Sequence, residues 1–300
     1  MPSASSVRRY ESSHHGRLCA GILLSSALVL CLGASARAQS SSGPNPQPIS
    51  DSSGLPDAPS PQAGNPAPAG LDSNASVTLR ATPANLLKDQ AAIWTSPARI
   101  REHDVALLVP LVLATTLTMA VDHQVMSSAR LDDASLNSHA ETASNGLLGG
   151  FIVAPAIIYG LGDIHHDDHA TETGILAGEA MGDSLVVSEV LKAVSMRERP
   201  TVDGAKGKFF QSGVGLGSSF PSNHSIIAWS SAAVIASEYN GPLTQLTAYG
   251  LATGVSLTRI LARQHFPSDV LVGSALGWMI GRYVYHKHSR NADILGLSRH

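Results

Sequence analysis

Residues 221–239 read PSNHSIIAWSSAAVIASEY, and this stretch decides the fold class. Ser222 stands where a helix N-cap is expected. The apolar residues that follow show no strict alternation, so the segment reads as a buried helix rather than a strand. Working outward, similar apolar runs occupy residues 105–121, 147–161, 175–194, 243–262 and 270–284. Gly162, Gly204, the Gly213 to Gly217 stretch, Gly241-Pro242 and Pro267 mark the joints between them. Ser268 stands at a second expected N-cap. The expected fold is therefore all-α, a six-helix bundle, with a short amphipathic lead-in over residues 83–101. No internal repeat and no heptad seam is seen.

Three short clusters ride on these helices. Lys192 and Arg199-Pro200 fall at the end of the third helix. Ser222, Asn223 and His224 open the fourth. Thr258-Arg259 closes the fifth, and His265 and Asp269 start the sixth. In an up-and-down bundle, odd helices finish on the face where even helices begin. All three clusters are thus expected at one end of the bundle.

Their chemistry suits a phosphoryl group. Lys192, Arg199 and Arg259 supply positive charge for its oxygens, the arginines as planar forks and the lysine as a point charge. The backbone amides of Ser222, Asn223 and His224 open a helix, where unpaired N–H groups favour an anion. The Ser222 hydroxyl is a further expected donor. His265 and Asp269 are spaced to share one face of a helix start. A carboxylate on one ring nitrogen fixes the tautomer and leaves the other free to attack. His265 is then the expected nucleophile, forming a phosphohistidine, and Asp269 its orienting partner. His224 is the expected acid that protonates the leaving oxygen and later activates water. Taken singly, each has a plainer explanation as a dipole charge, a cap or a surface pair.

In order, inner spacing and chemistry, the three clusters resemble the signature of the type 2 phosphatidic acid phosphatase / vanadium haloperoxidase superfamily. The resemblance covers residues 176–282. It implies a bundle of that superfamily's type, with Lys192, Arg199, Ser222, Asn223, His224, Arg259, His265 and Asp269 in phosphate-binding and catalytic roles. Two positions depart from the family pattern: Asn223 stands where Gly is usual, and Thr258 where Ser is usual. The resemblance implies a metal-independent phosphatase for phosphomonoesters or lipid (pyro)phosphates, with no cofactor and with vanadate as an inhibitor. A vanadium-dependent haloperoxidase and a catalytically inactive envelope binding module are the alternatives.

The remaining sequence bounds location and partners. Arg8, Arg9 and Arg17 precede an apolar run over residues 18–33, and Ala36-Arg37-Ala38 follows. Residues 1–38 therefore read as a secretory signal. Cys19 and Cys31 both lie inside it, so the exported chain would lack thiol chemistry. Residues 39–82 are rich in Pro, Ser, Ala and Gly and read as a disordered linker. The helical phosphatase domain is expected over residues 83–290, with a tail over 291–300. A formal net charge of −3 argues against nucleic acid and for a local anion site. The expected location is the periplasm or cell envelope. The bundle is read as soluble or resting on a membrane, because its runs are short and several carry acids or proline. The segment Asp163-Ile164-His165-His166-Asp167-Asp168-His169 has metal-ligand residue types in no ligand spacing and is read as a solvated loop between helices.

Overall fold

The computed structural model describes residues 77–294. The secretory signal and most of the linker expected from the sequence lie outside them. Among the described residues there is no strand. Eight α-helices follow one another: α1 (Thr82–Thr95), α2 (Glu102–Met126), α3 (Ala134–His165), α4 (Asp168–Ser195), α5 (Asn223–Glu238), α6 (Pro242–Leu261), α7 (Pro267–His288) and α8 (Arg290–Ile294). The six expected helices correspond to α2 to α7.

Helix α5 is the axis of the bundle and packs on α3, α4, α6 and α7. Its small and apolar residues are buried on more than one face, as are Ser225, Ser230 and Ser231. One face carries Ile226 and Val234 into a core with Leu176, Ala177 and Val187 of α4 and Ile280 and Val284 of α7. The opposite face carries Ala228, Ala232 and Ala236, spaced by one helical turn, against Phe151 of α3 and Ala248, Ala252 and Val255 of α6. Small residues let α5 and α7 approach closely. A Cβ added at Gly273, Gly277 or Gly281 would lie 2.8, 2.3 or 2.3 Å from the carbonyl oxygens of Ser222, Ile226 and Ser230. Glycine at these three turns of α7 therefore sets the spacing between α5, which carries His224, and α7, which His265 immediately precedes.

Several boundaries differ from expectation, each for a local reason. Helix α3 begins at Ala134, well before the apolar run at 147. Its first three turns are polar, and Asp133 caps them by accepting from the N–H groups of Ser135 and Leu136. The segment 163–169 is no loop. Residues 163–165 finish α3, His166 turns in the left-handed conformation at φ 54°, and Asp167 caps α4. Ser268 is not a cap; Phe266 holds that position, and the Asp269 carboxylate accepts its N–H at 2.8 Å. The expected tail contributes α8, whose Ala292 is fully buried and whose Arg290 reaches Glu172 at 2.5 Å.

The amphipathic lead-in is α1, and it covers acids of α4 and α7's polar side. Asn85 donates to Glu179 at 3.1 Å and Gln90 to Asp183 at 2.8 Å. Asp89 accepts from the Tyr283 hydroxyl at 3.0 Å and pairs with His288 at 2.7 Å. The outside of the bundle is different. The segments Asp104–Met126 and Ala134–His165 are long and apolar enough to cross a membrane, with mean hydropathy of 2.0 and 1.8. On α2, Leu113 and Leu117 are 58% and 69% exposed. On α3, Ile152, Val153, Ile157 and Leu161 also face outward. The outer surface of α2 and α3 thus gives the membrane reading more weight than the sequence did.

Candidate active site

The loops after α4 and α6 and the starts of α5 and α7 meet at one end of the bundle. The joints are direct. Ser195 of α4 donates to the Phe220 carbonyl at 2.8 Å. The Ser222 N–H donates to the Asp269 carbonyl at 3.1 Å. Arg199 donates to Gln264 at 2.7 Å, which aims the guanidinium across the end of α6.

Lys192, Arg199 and Arg259 are brought together here with both histidines. Lys192 and Arg259 are each only 5% exposed. Burial pulls the Lys192 ammonium below its usual range; Glu189 opposes that pull, while Arg199 and Arg259 add to it. Burial, followed by the nearby Arg199, pushes Arg259 down to about 10. The Nε and Nη1 atoms of Arg259 are buried without a hydrogen-bond partner. Buried donors without acceptors are costly, so this constellation is built for an oxyanion.

His224 is pushed down to about 4, first by burial and then by Arg259, Lys192 and Arg199. Its ring is held by Asn145 of α3, with Nε2 and Oδ1 3.0 Å apart. His265 lies well below its usual range, again from burial first, then Arg259 and Arg199. It is therefore neutral near pH 7, as a nucleophile must be. Its Nδ1 is 2.6 Å from the Ser219 carbonyl oxygen. A carbonyl only accepts, so Nδ1 carries the proton and Nε2 is left free.

This arrangement corrects the expected role of Asp269. Its carboxylate lies 3.9 Å from Nδ1, beyond hydrogen-bond range. The Ser219 carbonyl orients His265 instead. Asp269 is fully buried, and burial raises it to about 7 against the pull of Arg197 and the Phe266 N–H. Ser222 also differs from expectation. It is fully buried, and its hydroxyl accepts from the Ser225 hydroxyl at 3.1 Å. Its N–H is already spent on Asp269, so Ser222 serves as a cap and joint. The open amides of this helix start are those of Asn223 and His224.

Asn223 keeps its side chain out of the anion position. Its amide donates to Glu189 at 2.6 Å and its oxygen accepts from the Ser188 hydroxyl. The backbone amide is thereby offered much as a glycine would offer it. Sequence reasoning missed four site neighbours: Asn145, Gln264, the Ser219 carbonyl and Arg197. Asn145 lies in the polar start of α3, where no apolar run signals a helix. Arg197 sits two residues before Arg199, inside the first cluster, and that position was the available signal. Among the described residues, no group of three His, Cys, Asp or Glu side chains is placed to hold a metal ion.

No curated protein matches the chain. A solved structure, the first transmembrane PAP2 type phosphatidylglycerolphosphate phosphatase from Bacillus subtilis, is 20% identical, with 70% of this chain and 97% of that chain covered and a TM-score of 0.43. The model of the PAP2 superfamily matches residues 173–293, a span that contains all eight residues singled out from the sequence. The helical segment that carries the cations and histidines, residues 173–293, is thus similar to the PAP2 superfamily.

Proposed function

We propose that the chain is a membrane-associated phosphatase that hydrolyses a lipid phosphate through a phosphohistidine on His265. The observation that carries this reading is the pair of unpartnered guanidinium nitrogens on Arg259, buried beside two more cations and two neutral histidines. Lys192, Arg199 and Arg259 hold the equatorial oxygens of the transferring group, where charge spreads in the transition state. The free Nε2 of His265 attacks phosphorus as the bond to the leaving oxygen breaks. His224 gives that oxygen a proton, and bound phosphate raises the affinity of His224 for it. Water then attacks phosphorus, His224 takes its proton, and the N–P bond breaks to release phosphate.

The lipid part of the reading rests on apolar surface next to the site. One residue past Asn145, a groove of about 560 Å³ opens between α3 and α6, lined by Gly146, Leu147, Gly150, Phe151, Ala154 and Leu251. It continues to Ile158, roughly 18 Å along α3 at the helical rise. Together with the outer faces of α2 and α3, it suits a substrate whose phosphate sits at the bundle end and whose chain lies along its side. Export through the leader-like residues 1–38 belongs to the same proposal. Vanadate, as a mimic of the five-coordinate state, is expected to inhibit, and chelators are not.

The test is to trap the phosphoenzyme. The wild-type chain, mixed with a 32P-labelled lipid phosphate and quenched in alkali, should carry acid-labile label on His265. His265→Ala should carry none and should not turn over. Turnover that persists in His265→Ala would exclude the proposed nucleophile.

A further inference from the structure

We propose that Asp122 and Arg197 are positioning residues that hold the His265 ring for attack, an inference that rests on the phosphohistidine reading above. Asp122 belongs to α2, whose apolar face points outward, yet its carboxylate is 2% exposed. It accepts from Arg197 Nη2 at 2.8 Å, from the Ser268 N–H at 3.1 Å and from the Ser268 hydroxyl. Arg197 Nη1 donates to Asp269 at 2.5 Å and to the Ser268 hydroxyl at 2.8 Å. Its Nε donates to the Gly207 carbonyl at 3.2 Å. The guanidinium also lies over the rings of Phe209 and Phe266, 4.7 and 4.1 Å from their centroids. Few rotamers survive so many restraints.

The immobilised side chain has a consequence for the backbone. The Arg197 carbonyl accepts the Ser219 N–H at 2.9 Å. The Ser219 carbonyl in turn accepts Nδ1–H of His265 at 2.6 Å. A path of hydrogen bonds thus runs from Asp122 through Arg197 and Ser219 to the nucleophile. The same residues set the field around the ring. Where Asp269 is ionised, above about pH 7, two carboxylates against one guanidinium leave excess negative charge on the Nδ1 side of the ring. The ring gains positive charge when Nε2 becomes phosphorylated, and fixed charge of opposite sign then favours the transition state. A buried ion triad contributes little net stability, because desolvation offsets its attraction. Positioning accounts for it better than stability does.

The experiment uses the full chain in detergent, with p-nitrophenyl phosphate as substrate and inorganic phosphate as competitive inhibitor. Asp122→Asn and Arg197→Lys should each lower kcat about 10- to 100-fold while the phosphate Ki stays within about twofold, since the cation cradle is untouched. The double variant should be about as impaired as the worse single one, as expected for members of one path. An unchanged kcat in folded Asp122→Asn would overturn the proposal. So would a Ki that weakens in step with kcat, or additive losses in the double variant. Where Asp122→Asn does not fold, Arg197→Lys, which keeps the charge, carries the comparison. An independent reading comes from imidazole 15N spectra, with the His265 signal assigned by its loss in His265→Gln. The wild type should show Nδ1–H, and Asp122→Asn should show mixed tautomers. A wild type that turns over no ester refutes the phosphatase reading; unchanged tautomers in Asp122→Asn refute the positioning path.

Discussion

Replacing Gly277 with Ala tests the spacing of the two helices that carry the site. The new Cβ would sit 2.3 Å from the Ile226 carbonyl oxygen and 3.0 Å from its carbonyl carbon and Cα. All three neighbours are backbone, so no side chain can rotate away and α7 must move off α5. Overpacking of this kind costs about 1–3 kcal/mol, and an unyielding neighbour puts the cost near the upper end. Alanine returns about 0.5–1 kcal/mol of helix propensity. The net loss is then about 2 kcal/mol, or a fall in Tm of about 4–8 °C for a domain of this size. Gly250 of α6 is the control, since a Cβ there meets nothing within 4 Å. Gly250→Ala keeps the propensity gain alone, a rise of about 1–4 °C. Thermal unfolding of both variants in the same detergent, followed by circular dichroism, reads the contrast. A Gly277→Ala chain that melts at or above the wild type would refute the close approach.

Two further outcomes are expected. Sulfate keeps its double charge between pH 7 and 5, and its binding should raise His224 from about 4. Binding then takes up a proton, so the sulfate Ki should tighten as pH falls, by up to about tenfold per pH unit. Steady-state inhibition in wild type and His224→Asn reads this; a slope that survives the substitution would assign the proton elsewhere. Exchanging Leu113 and Leu117 of α2 for Glu should move the chain from the membrane pellet to the soluble fraction. Because both leucines face outward, stability should change by no more than about 0.5 kcal/mol at each site. A chain that unfolds instead would place these leucines against protein.

Much of the architecture was legible because apolar runs and Gly or Pro joints carry direct physical meaning. The cations and histidines were legible because helix parity alone brings their ends together. The partners were not. Asp122 and Arg197 are separated by 75 residues, and nothing local in either segment announces the pairing. Asn145 lies on the polar start of α3, where burial of one face is too slight to leave a periodic signal. The i,i+4 spacing of His265 and Asp269 suggested a hydrogen bond that the structure gives to Ser219. Spacing puts two side chains on one face; it does not decide which of several acceptors a ring nitrogen meets. The Asn223 substitution likewise became intelligible only when its amide was seen tied to Ser188 and Glu189.

The lead-in helix α1 has a consequence for the rest of the molecule. Asn85 and Gln90 insulate two acids midway along α4, and Asp89 fastens the same helix to Tyr283 and His288. A chain severed between α1 and α2 would keep every group of the anion pocket. It would also acquire two naked carboxylates on the helix that ends in Lys192, and their mutual repulsion would act on the very strut that supports the pocket.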